Sequence, residues 1–453
     1  MDFIYGLAVI LVTFEGIIIQ CEGGGAFSSI QRPDKPILPN DVIELILSKT
    51  DFETIQKAAQ ENIVCANNMV MSKILQDHKI YIMPELEEKI HRNYLGDVEI
   101  GSYKGLKLFF EKFGDKVKKI DIWLGYNNGP DREITHNIIR TYAKNFEELR
   151  IGGSRSEHDK FWNEISNGDN GIIFLEVKKI RINGDIYGHK LKLNILFPKL
   201  ESLELDGRIA DVNCFENVKG LKELMLLTGS IEENHLPGIF ANNENLIKIC
   251  LFMPNRTETM GSIAKYLTKL KTLKVEYPGE NFLSQPNNGT VYKLPSVTHF
   301  DIFFDAIGEV FGSANFSFDM PHLEKLTLRG YEADDRIVNF IQLFNELKKL
   351  ELSVVYCDIV ECIKKLKNVQ EFTTRFYENM FESLKNMFEN FDKESKLQTL
   401  KFVNFCNHLY QKYEKEMKKI NIDLKNNKKP TWTLSHGKDI ETGQKYLMFS
   451  RDP

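Results

Sequence analysis

The sequence has no cysteine pair at CxxC spacing and no histidine at zinc-ligand distance from one. Cys21, Cys65, Cys214, Cys250, Cys357, Cys362 and Cys406 are scattered along 453 residues, a pattern that describes neither a disulfide framework nor a metal site. HExxH, GxSxG, GxxxxGK[ST] and GxGxxG are all missing, so zinc hydrolysis, nucleophile-elbow chemistry and phosphate cradling have no signature here. The ten histidines stand apart from one another, and His299 and His322 read as surface or strand-edge residues. No catalytic residue and no cofactor is expected. Charge of one sign is scarce too: 59 Lys and Arg face 64 Asp and Glu, a net charge of −5. A nucleic-acid partner would call for a basic excess on one face, and none is expected. With 42% hydrophobic and 27% charged residues, the chain is neither disordered nor a polytopic membrane protein.

The apolar run Phe3 to Phe14 holds twelve residues, short of the roughly 20 that cross a bilayer. It fits the apolar region of a secretory signal peptide, with Gly23, Gly24 and Gly25 ending it. The other reading is a buried N-terminal helix, since no Lys or Arg precedes the run and Glu15 interrupts it. Residues 1–25 are therefore expected to be a signal peptide and 26–37 a linker. Sequons at Asn255, Asn288 and Asn315 permit glycosylation without arguing for it.

One short pattern recurs: apolar, two mostly polar residues, apolar, one variable residue, apolar. It begins at Val117, Phe146, Val177, Leu200, Leu221, Leu246, Leu270, Val297, Leu323, Leu347, Val369 and Leu397. The mean period of about 25 residues lies in the leucine-rich-repeat range. The fourth and sixth positions lie two apart on a strand and share a face, while the first anchors the approach. Helical spacing fills gaps such as His136 to Phe146, Ile263 to Leu270 and Arg336 to Leu347. Strand plus helix, repeated, predicts an α/β fold: a leucine-rich-repeat solenoid, a horseshoe of about 12 irregular repeats over 111–427. An α/β enzyme is the competing reading, disfavoured by the missing phosphate loop. The ninth position carries no regular Asn or Cys; Gly125, Arg208, Gly229 and Pro254 stand there. Residues 77–110 are expected as linker and N-terminal cap, and 428–453 as a C-terminal tail able to form a hairpin.

Ahead of the array, 38–76 reads as three short helices, a small bundle that wants a partner or neighbour. Leu38, Pro39, Asp41, Val42, Ile43, Ile46, Leu47, Ile55, Val64 and Cys65 carry a resemblance to the F-box, the motif that docks a protein onto the Skp-type adaptor of a cullin ubiquitin ligase. Thr50 and Asn68 depart from that pattern. The competing reading is a helical cap on the solenoid. The order of segments, with phrases such as Phe197 to Leu205 and Met320 to Leu328, resembles F-box/leucine-rich-repeat substrate receptors. With the leader included, it is similar to the secreted salivary effectors of plant-feeding gall midges.

That resemblance implies a non-catalytic substrate-recognition subunit. It would be secreted, would act in host cytoplasm or nucleus, and would engage a host Skp-type adaptor and through it a cullin to redirect ubiquitination. A resident cytosolic receptor and an extracellular ligand-binding repeat protein are the alternatives. The protein substrate is expected on the concave face formed by the fifth and seventh motif positions. Met225, Leu227, Cys250 and Phe252 gather there on adjacent strands, with Phe303 two repeats on, an exposed apolar patch of the kind partners use. Arg181, Glu204 and Lys274 are its expected rim charges. Either a C-terminal tail folded over the patch or a slipped register would remove it.

Overall fold

The computed structural model describes residues 79–452 except for connecting stretches, the longest being 125–136, 163–173, 305–317, 354–367 and 376–395. The expected signal peptide, linker and F-box-like helices, with Leu38, Pro39, Asp41, Val42, Ile43, Ile46, Leu47, Ile55, Val64 and Cys65, lie outside the described residues.

Each recurrence of the motif becomes a strand that starts at its third residue. These are β4 (Lys119–Leu124), β5 (Glu148–Gly153), β6 (Lys179–Asn183), β7 (Ser202–Asp206), β8 (Glu223–Leu227), β9 (Lys248–Phe252) and β10 (Thr272–Glu276). They continue as β12 (His299–Phe304), β14 (Lys325–Gly330), β15 (Lys349–Ser353), β16 (Glu371–Arg375) and β17 (Thr399–Val403). All twelve lie parallel and neighbour one another in chain order. The register never slips, so equal motif positions face each other from Asp121 through to Lys401. A two-stranded ladder of β11 (Tyr292–Lys293) and β13 (Phe318–Asp319) stands beside this sheet.

Alternation along a strand sends the fourth and sixth motif residues to one side. There Ile120 and Ile122, Leu203 and Leu205, Leu326 and Leu328 and their equivalents on every strand are buried, as is every first position from Val117 to Leu397. Each apolar side chain so buried is worth about 1.5–3 kcal/mol. In several repeats a tight turn fixes the first position: its amide donates to the carbonyl three residues earlier, Leu246 to Asn243 at 3.0 Å, Leu270 to Leu267 at 3.0 Å and Leu323 to Met320 at 3.2 Å. That earlier residue is a further core position, filled by Phe174, Phe197, Val218, Leu267, Leu294, Met320 and Phe344. Asn243 occupies it once. Its buried amide accepts from the Leu221 amide (3.0 Å) and donates to the carbonyls of Val218 (3.0 Å) and Ile239 (2.9 Å), which satisfies the polar group inside the core.

The helices that link strands include α1 (Leu193–Leu196), α2 (Leu236–Asn242), α3 (Thr257–Tyr266), α4 (Asp335–Ile341) and α5 (Tyr410–Asn426), and Phe109, Phe110, Phe113, Ile139, Phe161 and Trp162 are helical as well. The helices expected over 263–270 and 336–347 stop at Tyr266 and Ile341, because the residues just before each motif form the turn. The Glu233 carboxylate accepts from the amides of Asn255 (2.7 Å) and Arg256 (3.1 Å), occupying donors at the start of α3.

Both ends of the sheet depart from the repeat. Residues 77–110, expected as linker and cap, supply three strands: β1 (Ile80–Ile82), β2 (Ile90–Arg92) and β3 (Val98–Ile100). β1 inserts between β3 and β4, parallel to both, and β2 pairs antiparallel on the far side of β3. At the other end β19 (Lys445–Arg451) pairs antiparallel with β17, and β18 (Trp432–Lys438) pairs antiparallel with β19. Among the described residues the result is a mixed α/β architecture around one 17-stranded, parallel-rich sheet. Among the described residues no helix is long and apolar enough to cross a membrane.

Candidate recognition face

The side of the sheet opposite the leucine core is built from the third, fifth and seventh motif residues, and the unslipped register stacks each position into a row across the strands. The fifth-position row runs Asp121, Arg150, Arg181, Glu204, Met225, Cys250, Lys274 and Asp301 from β4 to β12. Asp121 accepts from Arg150 Nη1 at 3.3 Å, and Arg181 Nε meets Glu204 at 3.0 Å. Burial nonetheless pushes the Asp121 carboxyl up from its ordinary value, outweighing the Arg150 charge. Lys274 pairs with Glu276 on its own strand. Burial pulls the Lys274 ammonium down, but the Glu276 hydrogen bond and the neighbouring Glu276 and Asp301 charges together carry it upward. The rim charges expected from the sequence are therefore matched to partners within the face, and Glu204 itself is buried.

Of the expected apolar residues, Met225, Leu227, Phe252 and Phe303 are half-buried on this side. Cys250 is the correction: it is 1% exposed. Its short side chain stands in register between the longer Met225 and Lys274, so it cannot present itself to a partner. The same burial pushes its thiol up to about 12, which keeps it neutral and unreactive. The described strands of the C-terminal tail do not lie over the patch; they extend the sheet beyond β17.

The structure adds a residue that closes the gap between Phe252 and Phe303. Tyr277, the first residue after β10, puts its ring 5.4 Å from that of Phe252 and 4.7 Å from that of Phe303, edge-on to both. Such tilted contacts suit the ring quadrupoles. A left-handed backbone at Tyr277, φ 52°, accompanies this placement on the eighth motif position. Met253 holds the same position one strand earlier with φ 50° and is 61% exposed. The sequence carried one usable signal: the eighth position is Gly at 153, 184, 207 and 330, the first three with positive φ, so a large residue there can stand where the backbone favours none.

A second apolar feature lies at the β4 end. Trp123, 46% exposed, lies across Gly152, where an added Cβ would come within 2.5 Å of the indole carbons. Among the described residues no group of three or more His, Cys, Asp or Glu side chains is placed to hold a metal. What this face offers chemically is non-covalent contact: apolar and aromatic surface set among matched charges. No protein-family model and no curated protein matches the sequence, so its function has to be read from these residues.

Proposed function

We propose that this chain is the substrate-recognition subunit of a Skp-cullin-F-box ubiquitin ligase, a leucine-rich-repeat solenoid carrying an F-box-like segment. In this reading it is a secreted effector that engages a host plant adaptor and redirects host ubiquitination, with no catalytic role of its own. The observation that supports it most is the succession of twelve motif strands, parallel, in chain order and in one register, with Leu227, Phe252 and Phe303 on the side away from the core. A linear succession of units gives an extended binding surface. Leu38, Pro39, Asp41, Val42, Ile43, Ile46, Leu47, Ile55, Val64 and Cys65 would seat the adaptor, and the recognition face would hold the substrate.

The test is adaptor capture by the full chain and by the double variant Leu38→Asp, Pro39→Ala. Capture of a purified plant Skp-type adaptor should fall at least about tenfold, roughly 1.4 kcal/mol, with the thermal unfolding of the strand array unchanged. Equal capture by both proteins would refute the ligase reading.

A further inference from the structure

Met253 and Tyr277 are the only non-glycine residues with positive φ among the described residues. They occupy the same motif position on consecutive repeats, where four other repeats place glycine, three of them with positive φ. An L side chain in the left-handed region is disfavoured by its own Cβ. Nothing in the hydrogen bonding demands a side chain there: the Met253 amide donates to the Glu276 carbonyl at 2.7 Å, just as the Gly184 amide donates to the Asp206 carbonyl at 2.8 Å. Local strain that the ladder does not require is a mark of function when it coincides with exposed apolar surface. Here it coincides: Met253 is a large hydrophobic residue left 61% exposed, and Tyr277 joins Phe252 to Phe303.

We propose that Met253 and Tyr277 form a ledge that, with Leu227, Phe252 and Phe303, grips an extended, uncharged protein segment presenting aliphatic or aromatic side chains. The inference rests on reading this face as the recognition surface. Charge decides the class of partner. Glu276 lies in register between Phe252 and Phe303 and is matched by Lys274, and Arg329, in register beside Phe303, is matched by Glu351 at 3.3 Å. Asp206, in register with Leu227, accepts from the Asn183 amide at 3.3 Å. A charged segment gains little from charges already matched, whereas an apolar one gains by covering the row. Length decides the shape. From β8 to β12 the row crosses three strand spacings, about 14 Å, which four or five extended residues span.

Labelled twelve-residue peptides alternating Leu or Phe with Thr and Ser, and counterparts with Lys or Glu in place of the apolar residues, test this by fluorescence anisotropy. The full chain should bind the apolar peptides at least tenfold more tightly than the charged ones, phosphatidylcholine vesicles or oligothymidine. Met253→Gly with Tyr277→Gly should weaken the apolar peptides at least tenfold while the unfolding temperature holds or rises, since glycine suits the backbone already present. If the glycine pair unfolds early, Met253→Asn with Tyr277→Asn, which also tolerates the left-handed region, decides in its place. No binding by the native chain, equal binding by the variants, or a preference for charged peptides, vesicles or oligonucleotide would overturn the proposal. Adaptor capture separates the two readings: absence of peptide binding by the native chain with its capture intact removes only the ledge, and unaltered capture by the Leu38→Asp, Pro39→Ala chain removes only the ligase.

Discussion

Asp301 sits on β12 with Lys274 on one side and Thr327 on the other in register, and its Oδ1 is buried without a hydrogen-bond partner. Burial pushes this carboxyl above its ordinary 3.8, reinforced by Glu351 and Glu276 and opposed by Arg329 and Lys274. The folded chain thus holds the proton more tightly than the unfolded chain. This group favours folding fully below pH 3.8 and progressively less as pH rises through its raised folded value. Asp301→Asn, which cannot ionise, should raise the unfolding temperature at pH 7, and the difference from the native chain should close as pH falls below 3.8. Thermal unfolding monitored by circular dichroism across that range checks it; a loss of stability at pH 7 would show that attraction to Arg329 and Lys274 dominates. At this scale the sequence was partly legible. The side of the sheet on which Phe252 and Phe303 stand followed from alternation alone. That Cys250 is buried did not, because it depends on the reach of Met225 and Lys274. Tyr277 was hidden because alternation places an eighth residue on the core side, and only the sign of φ turns it back.

The strand with its following turn is the repeated element, and the eighth motif position is where it ends. At Gly207 φ is +156°, and an added Cβ would come 2.3 Å from the Gly184 carbonyl oxygen and 2.4 Å from its carbon. Both atoms are backbone, so neither can swing aside. Gly207→Ala should therefore cost about 2 kcal/mol or more. Gly220→Ala, at φ +86° with open space around the site, carries the conformational penalty without the collision and should cost less. Urea unfolding of the two variants gives the comparison, and equal losses would remove the close approach as the cause. The strands were legible because three apolar residues per unit mark them from Val117 to Leu397. The helices were less so: over 263–270 the apolar spacing runs on into the turn that sets Leu270, and periodicity does not distinguish a last helical turn from the turn after it.

Across the whole molecule, the parallel strands meet antiparallel neighbours at both ends, and β18 is itself blunted. Asn421 of α5 donates to the Trp432 carbonyl at 2.7 Å and accepts from the Trp432 amide at 3.1 Å, occupying backbone groups that a stray strand could use. Removing residues 428–453 should bare the edge of β17 along Thr399–Val403 and withdraw Trp432, Leu447 and Phe449 from the core. Light scattering after size exclusion should then show a larger species than the full chain gives at the same concentration, and an unchanged mass would mean that β17 needs no cover. The order of the strands was legible, since chain neighbours become spatial neighbours. The N-terminal end was not: β1, β2 and β3 are three residues each, too short to carry a period.

Ends that depart from the repeat give the aromatic row a fixed place in the sheet. Each unit advances the sheet by about 4.8 Å, so the aromatic row stands at a distance from either end set by the number of units between them. Duplicating or losing one interior unit would leave the bottom and top of the stack as they are and move the row by one rung. On the proposed reading, the number of units would set reach and the residues of a few rungs would set grip.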